Sequence, residues 1–302
     1  MRSTSHSSPR ASRVGSPETL WQSQNYLHSP SLIKQLLAKT TIICGDFILE
    51  IGPGKGIITR QLANIGASVL AIEYDAKLYR ELTQTFHTVP AVTIRHGDVL
   101  ASDLPAGEYK IFSNIPFQIT SAILAYLTRG IHSPVDAYLI IQREAALRYA
   151  GRPYARECLK SLLIKPNFVL TLLHNFNRTD FKPCPGVDIV LLHLQKRKSP
   201  LFKGRQYQQY KHFMCYVFTR HGKDLRERLK PLFTREQFHR LAQHGRFPTT
   251  ARPIDLSFTQ WLAIFTCFVT VVSIKKQRLI EGAEDRLRRR QGWLVKIHRS
   301  RK

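Results

Sequence analysis

The chain has 302 residues, 43% of them hydrophobic, which is enough for one catalytic domain of ordinary size and a smaller companion. Its 46 Lys and Arg outnumber 21 Asp and Glu to give a net charge of +25, the signature of a protein that meets a polyanion through phosphate contacts. The longest apolar stretch, 261–274, is too short to span a bilayer, and the five scattered cysteines offer neither metal-ligand spacing nor an even disulfide set. Nucleic acid is therefore the expected partner, with no membrane, no metal and a reduced, cytoplasmic setting.

Residues 1–20 are rich in Ser, Pro and Arg and have no apolar h-region, so a flexible basic arm is expected and not a secretory signal. Leu32, Ile33, Leu36 and Leu37 then recur at helical spacing behind Ser29 as N-cap and Pro30 at the first helical position, predicting a helix over 29–39. Short apolar runs follow at 47–51, 68–72, 92–94, 109–112 and 137–141, separated by helical stretches, and later at 168–173 and 188–194. This alternation predicts an α/β fold: a parallel sheet covered on both faces, with the last two runs as an antiparallel hairpin at one edge.

Past residue 198 the pattern turns helical, with blocks at 206–220, 225–232, 234–244 and 257–268, and 261–274 reads as a buried helix running into a strand or tail. Between 199 and 274 twelve Lys or Arg face four Asp or Glu, which suits a small helical domain that holds nucleic acid. From 275 to 302 the count is eleven against three, including Arg286, Arg288, Arg289 and Arg290; this is either a solvated tail or one that grips the nucleic acid. The expected units are thus 1–20, 21–198, 199–270 and 271–302.

The strand at 47–51 runs into Glu50-Ile51-Gly52-Pro53-Gly54-Lys55-Gly56 and then a helix from Ile57. Alternate glycines let the backbone turn sharply and lie close to something flat or bulky. The spacing is wrong for a nicotinamide pyrophosphate loop, since Ile57 stands where the third glycine belongs, and the Walker Gly-Lys-Ser/Thr is missing. Glu50 would repel phosphate but attract an amino-acid ammonium, a combination found in S-adenosylmethionine. Glu73, about twenty residues on, is placed to accept from ribose hydroxyls, and Asp98 after Gly97 from an adenine amine. Either acid could instead cap the helix that follows it.

Ser113-Asn114-Ile115-Pro116-Phe117 names the reaction. An exocyclic adenine amine is a poor nucleophile because its lone pair is delocalised into the ring. The Asn114 side-chain oxygen and the Ile115 carbonyl, accepting its two N–H bonds, would direct that lone pair toward a methyl sulfonium. Pro116 stiffens the turn, and Phe117 would stack on the extruded base for about 1–3 kcal/mol. Positioning does most of the work, so no metal is required. Upstream, Asn25 and Leu27 of Gln24-Asn25-Tyr26-Leu27 could fold over the cofactor. Downstream, Phe181 of Phe181-Lys182-Pro183-Cys184-Pro185 either packs on the other face of the base or points into the core.

On these residues the chain resembles the rRNA adenine N6-methyltransferases, over about 22–268. Ser23-Gln24-Asn25, Glu50 to Gly56, Ser113 to Phe117 and Phe181 to Pro185 all match motifs of that family. Ile141-Gln142-Arg143-Glu144 with Gly151, and Asn175 to Phe181, resemble the Erm-type branch, which modifies 23S rRNA and causes macrolide–lincosamide–streptogramin B resistance. The resemblance implies a Rossmann-like methyltransferase sheet with a small C-terminal helical domain, acting on a defined adenine of free or immature large-subunit RNA; a monomer is expected. It places cofactor contacts on Asn25, Leu27, Gly52, Glu73, Asp98 and Asn114. The chain departs in having Phe117 where some relatives have Tyr, and in a longer, differently composed stretch after Phe268. A small-subunit rRNA dimethylase and a non-catalytic nucleic-acid-binding factor on the same fold are the alternatives.

Overall fold

Successive residues of the central strands point to opposite faces, and each face has its own apolar cluster, in a computed structural model that describes residues 25–130 and 132–290. The expected arm at 1–20, Ser23, Gln24 and the end of the expected tail, 291–302, lie outside the described residues.

The first half runs β1 (Tyr26–Leu27), α1 (Pro30–Leu37), β2 (Phe47–Ile51), α2 (Ile57–Asn64), β3 (Ser68–Glu73), α3 (Ala76–Phe86), β4 (Val92–His96) and β5 (Lys110–Asn114). It continues through α4 (Thr120–Leu127), β6 (Asp136–Gln142), α5 (Arg143–Ala150), α6 (Leu159–Ile164), β7 (Phe168–Asn175), β8 (Phe181–Lys182) and β9 (Ile189–Lys196). Seven strands form one sheet in the order β4-β3-β2-β5-β6-β9-β7; β9 is antiparallel to both neighbours and the strands from β4 to β6 are parallel. The mixed α/β fold and the hairpin at the β7 edge are as the sequence predicts.

Why the sheet is covered on both faces follows from the strand residues. Ile48, Val69, Ala71, Phe112, Tyr138 and Ile140 join the cluster under α1 and α2, with Ile33, Leu36, Ile58 and Leu62. Leu49, Leu70, Ile72, Ile111, Leu139 and Ile141 join the other, with Ile123, Leu124 and Leu127 of α4 and Tyr149 of α5. Ser29 caps α1 as expected, its Oγ accepting from Leu32 N at 3.3 Å ahead of Pro30.

The remaining helices are α7 (Gly204–Thr219), α8 (Leu225–Leu229), α9 (Arg235–His244), α10 (Phe258–Val271) and α11 (Ile274–Gln277). Thr234 and Ser257, each with Gln three residues on, form capping boxes that start α9 and α10. The helical core includes Tyr210, Phe213, Phe238, Trp261 and Phe265, and it also takes in Leu162 of α6, before residue 198. Tyr210 Oη donates to the Leu162 carbonyl at 2.9 Å and Arg152 Nη2 to the Asp255 carbonyl at 2.7 Å, so the helices are anchored to the sheet half.

Beyond Val271 the structure departs from the expected strand or tail. Val272 leaves the helix with extended backbone, α11 and a 3-10 turn at Arg278–Ile280 follow, and residues 283–290 are again helical. Ile280 and Ala283 are buried, which a solvated tail would not achieve. Among the described residues no helix is long and apolar enough to cross a membrane.

Candidate active site

The parallel strands bring the sequence motifs to one edge. Gly52 follows β2, Glu73 ends β3, Asp98 lies just after β4 and Asn114 ends β5. With neighbours in the order β4-β3-β2-β5, these residues form a row across the crevice where the strand order reverses, the usual ligand position in such sheets.

Within the loop, Gly54 and Gly56 are needed for both backbone and space. Gly54 has φ 58°, and a Cβ there would run into the Tyr26 ring at Cε1. Gly56 has φ 72° as N-cap of α2, and its Cβ would sit 2.7 Å from Phe86 Cε2 and 2.8 Å from Leu82 Cδ2 of α3. The first glycine thus admits a ring against the loop and the second lets two helices close. Gly54 N donates to Glu73 Oε2 at 3.1 Å, and Asp75 N to Glu73 Oε1 at 2.9 Å. Glu73 is buried, which pushes its carboxyl above the usual range against the pull of these bonds. Asp98 caps the turn at Val99–Ala101, its Oδ1 accepting from Leu100 N at 2.9 Å, and stays partly exposed.

Glu50 does not behave as the charged attractant expected. It is 1% exposed beneath the loop, and its Oε2 accepts from Thr59 Oγ1 of α2 at 2.6 Å. Burial, aided by the charge of Glu73, pushes the carboxyl up to about 8 despite the bond from Thr59. Its place is therefore structural, under the glycine turn. The folded chain keeps a proton that the unfolded chain loses near 4.5, so this stabilisation is present at low pH and is lost as pH rises toward about 8. Glu50→Gln is expected to flatten the fall in stability between pH 5 and 8 by up to about 1.4 kcal/mol per pH unit. Denaturant midpoints of both proteins at several pH values check this; parallel curves would refute it.

Three motifs that are remote in sequence meet in a short chain of hydrogen bonds. β1 pairs antiparallel with β8, Tyr26 opposite Lys182 and Leu27 opposite Phe181. Asn25 Nδ2 donates to the Pro183 carbonyl at 2.7 Å, and Asn114 Nδ2 donates to the Asn25 carbonyl at 2.7 Å. The amide nitrogen of Asn114 is thereby committed, and Oδ1 is the acceptor left for a ligand. Ile115 is buried with its N–H on the Ile140 carbonyl at 3.3 Å, Pro116 is buried, and Phe117 opens the next turn half-buried.

Tyr26 was missed as a site residue. Its ring lies on Gly54, Lys55 Nζ is 6.0 Å from the ring centroid, and burial with the charges of Glu73 and Asp75 raises its phenol. An aromatic next to Asn25 and Leu27 was the available signal. Phe181 is corrected from a base contact to a core residue: it is 2% exposed and packs edge-on against Phe176 at 5.2 Å, because the β1–β8 pairing turns it inward and Lys182 outward. Phe181→Ala is therefore expected to cost about 3–5 kcal/mol of stability, read from the denaturant midpoint; a loss of activity at unchanged stability would contradict the core placement.

The edge suits a nucleoside bearing an amino acid better than a nucleotide. Two carboxyl groups and an amide oxygen share the strand edge with the glycine loop, on which the Tyr26 ring is already packed.

Residues 21–269 match the family model described as ribosomal RNA adenine dimethylase. "Ribosomal RNA small subunit methyltransferase A" of Acaryochloris marina is 32% identical over 254 residues, 80% of this chain and 93% of that protein. An "rRNA adenine N-6-methyltransferase" of Corynebacterium diphtheriae is 33% identical over 236 residues, 76% of this chain and 89% of that protein. The crystal structure titled "23S rRNA methyltransferase ErmE" superimposes with a TM-score of 0.75 at 25% identity, covering 82% of this chain and all of that one. With the family model matched over residues 21–269 and the fold shared, the chain belongs to the ribosomal RNA adenine dimethylase family, the rRNA adenine N6-methyltransferases that use S-adenosylmethionine.

Proposed function

We propose that the chain methylates N6 of an adenine in 23S rRNA and thereby confers macrolide–lincosamide–streptogramin B resistance. The observation that carries the reading is the Asn114 amide, held by the Asn25 carbonyl at 2.7 Å so that Oδ1 is presented at the strand edge beside the glycine loop. When bound, S-adenosylmethionine supplies a methyl group already activated on a sulfonium. Asn25, Gly52, Gly54, Glu73, Asp98 and Asn114 would hold it, with Leu27 able to contribute only its backbone because its side chain is buried in the core: glycines for close approach, Glu73 for the ribose hydroxyls, Asp98 for the adenine amine.

The Asn114 Oδ1 and the Ile115 carbonyl then accept the two N–H bonds of the target amine and aim its lone pair. Phe117 stacks on the extruded base. Pro116 and the buried Ile115 keep both acceptors in place, so catalysis rests on orientation. No side-chain base is called for, because the amine becomes acidic once methylated. The chain acts as a monomer in the cytoplasm, where immature large-subunit RNA is available.

Likeness to an Erm structure over 82% of the chain supports the 23S target, and the A. marina relative's name supports a small-subunit RNA instead. Incubating the protein and labelled methyl donor with protein-free 23S and 16S rRNA separates the two readings. Label in a 23S adenine is the expected result; label confined to 16S RNA would transfer the function to the small subunit, and no label in either would leave a non-catalytic binding factor.

A further inference from the structure

We propose that residues 271–290, which lie past the end of the family match at residue 269, form an added binding surface for the phosphate backbone of structured RNA. The proposal rests on the reading of the chain as an rRNA methyltransferase. Its first support is that the segment is built into the helical unit. Gln277 Nε2 donates to the carbonyls of Val272 at 2.8 Å and Val269 at 3.0 Å, its Oε1 accepts from Gln209 of α7 at 2.9 Å, and Ile280 and Ala283 are buried. A surface held this way can present charge without the ordering cost of a loose tail.

The second support is how the segment sorts its charges. It carries seven Lys or Arg and three Asp or Glu. Glu284 is turned inward and shared by Lys211 of α7 at 3.0 Å, Gln208 at 3.0 Å and Arg288 at 2.5 Å. Arg286 is spent on the Glu281 carbonyl. Lys275, Lys276, Arg278, Arg289 and Arg290 have no ion pair among the described residues, and all but the half-buried Lys276 are exposed. Exposed Arg205 lies one turn before Gln208 on α7, extending the basic surface. Cations with no internal partner are those free to displace counterions from a polyanion.

The observations favour RNA over an anionic membrane. An interfacial helix needs an exposed apolar face, yet the apolar residues of 283–290 are buried Ala283 and half-buried Leu287, and its exposed side chains are charged. Val271, Ile274 and Leu279 are exposed, but they lie at the end of α10, at the start of α11 and in the 3-10 turn after it, and no single helix carries them as one apolar face.

The test uses the full chain carrying Lys275→Gln, Arg278→Gln, Arg289→Gln and Arg290→Gln together, with the Arg289→Gln, Arg290→Gln pair as a milder variant. Binding to protein-free rRNA is titrated across salt concentrations, thermal unfolding checks that the fold is kept, and methylation by the unaltered chain is assayed alongside. We expect the fourfold variant to bind roughly tenfold or more weakly near physiological salt, with a salt slope shallower by about two or more and the pair intermediate. A wild type that methylates and binds rRNA while both variants keep its affinity and slope would overturn this proposal alone. A wild type that does neither would remove the reading beneath it as well. Charge-dependent binding to phosphatidylserine–phosphatidylcholine vesicles with an unchanged RNA slope would overturn it in favour of a membrane.

Discussion

Asn114→Ala is expected to lower kcat for methyl transfer by about 10²–10³, the usual cost of deleting one preorganised hydrogen-bonding group that acts in the transition state. The residue has two jobs, and the structure separates them. Its Nδ2 holds the N-terminal segment through the Asn25 carbonyl, and its Oδ1 is left for the target amine. Alanine removes both, so some loss of cofactor affinity should accompany the fall in kcat. The fold should survive, since Asn114 is only partly buried at a strand end. Asn25→Ala keeps its backbone carbonyl and hence the bond from Asn114, but loses the tie to Pro183, so it should weaken cofactor binding more than it lowers kcat. Single-turnover rates and cofactor titrations on the two variants check this, and equal kcat losses would show that Asn114 works only as a clasp.

Gly56→Ala is expected to destabilise the protein by about 2–5 kcal/mol, which is the strain of a non-glycine residue in left-handed backbone plus overpacking. Its φ is 72°, and the added Cβ would lie 2.7 Å from Phe86 and 2.8 Å from Leu82, both buried on α3. Gly45 is the internal control. It has φ 85° but nothing within 4 Å of an added Cβ, so Gly45→Ala should show only the backbone part, about 1–2 kcal/mol. Denaturant midpoints give the comparison. Equal costs at the two positions would mean that α3 can move aside and that the loop is not braced from behind.

Much of the sheet was legible because each strand residue faces one of two cores, so the apolar runs mark the strands directly. Their ends were not. Glu73 and His96 extend a ladder past the apolar residues because a register pair needs only backbone bonds. The glycine loop and Asn114 to Phe117 were legible because their chemistry depends on residue types at fixed spacing. The β1–β8 ribbon was hidden, since two-residue strands have no period, and with it the inward turn of Phe181. The acid beneath the loop was misread because sequence shows that Glu50 is near the glycines but not on which side; Thr59, nine residues later, fixes the answer. Past Val271 a high basic content left two readings open, a solvated tail or one that grips nucleic acid. What it could not reveal is that Gln277 reaches back to the end of α10 and that Ile280 enters the helical core.

The most direct test of the site's chemistry is nucleoside analysis of rRNA after incubation with the protein and isotopically labelled S-adenosylmethionine, the unaltered chain beside Asn114→Ala. The predicted result is label in N6-methylated adenosine with the unaltered chain and about 10²–10³ less with the variant. Label in any other nucleoside, or equal label with both proteins, would contradict the assignment of Asn114 and the strand edge it occupies.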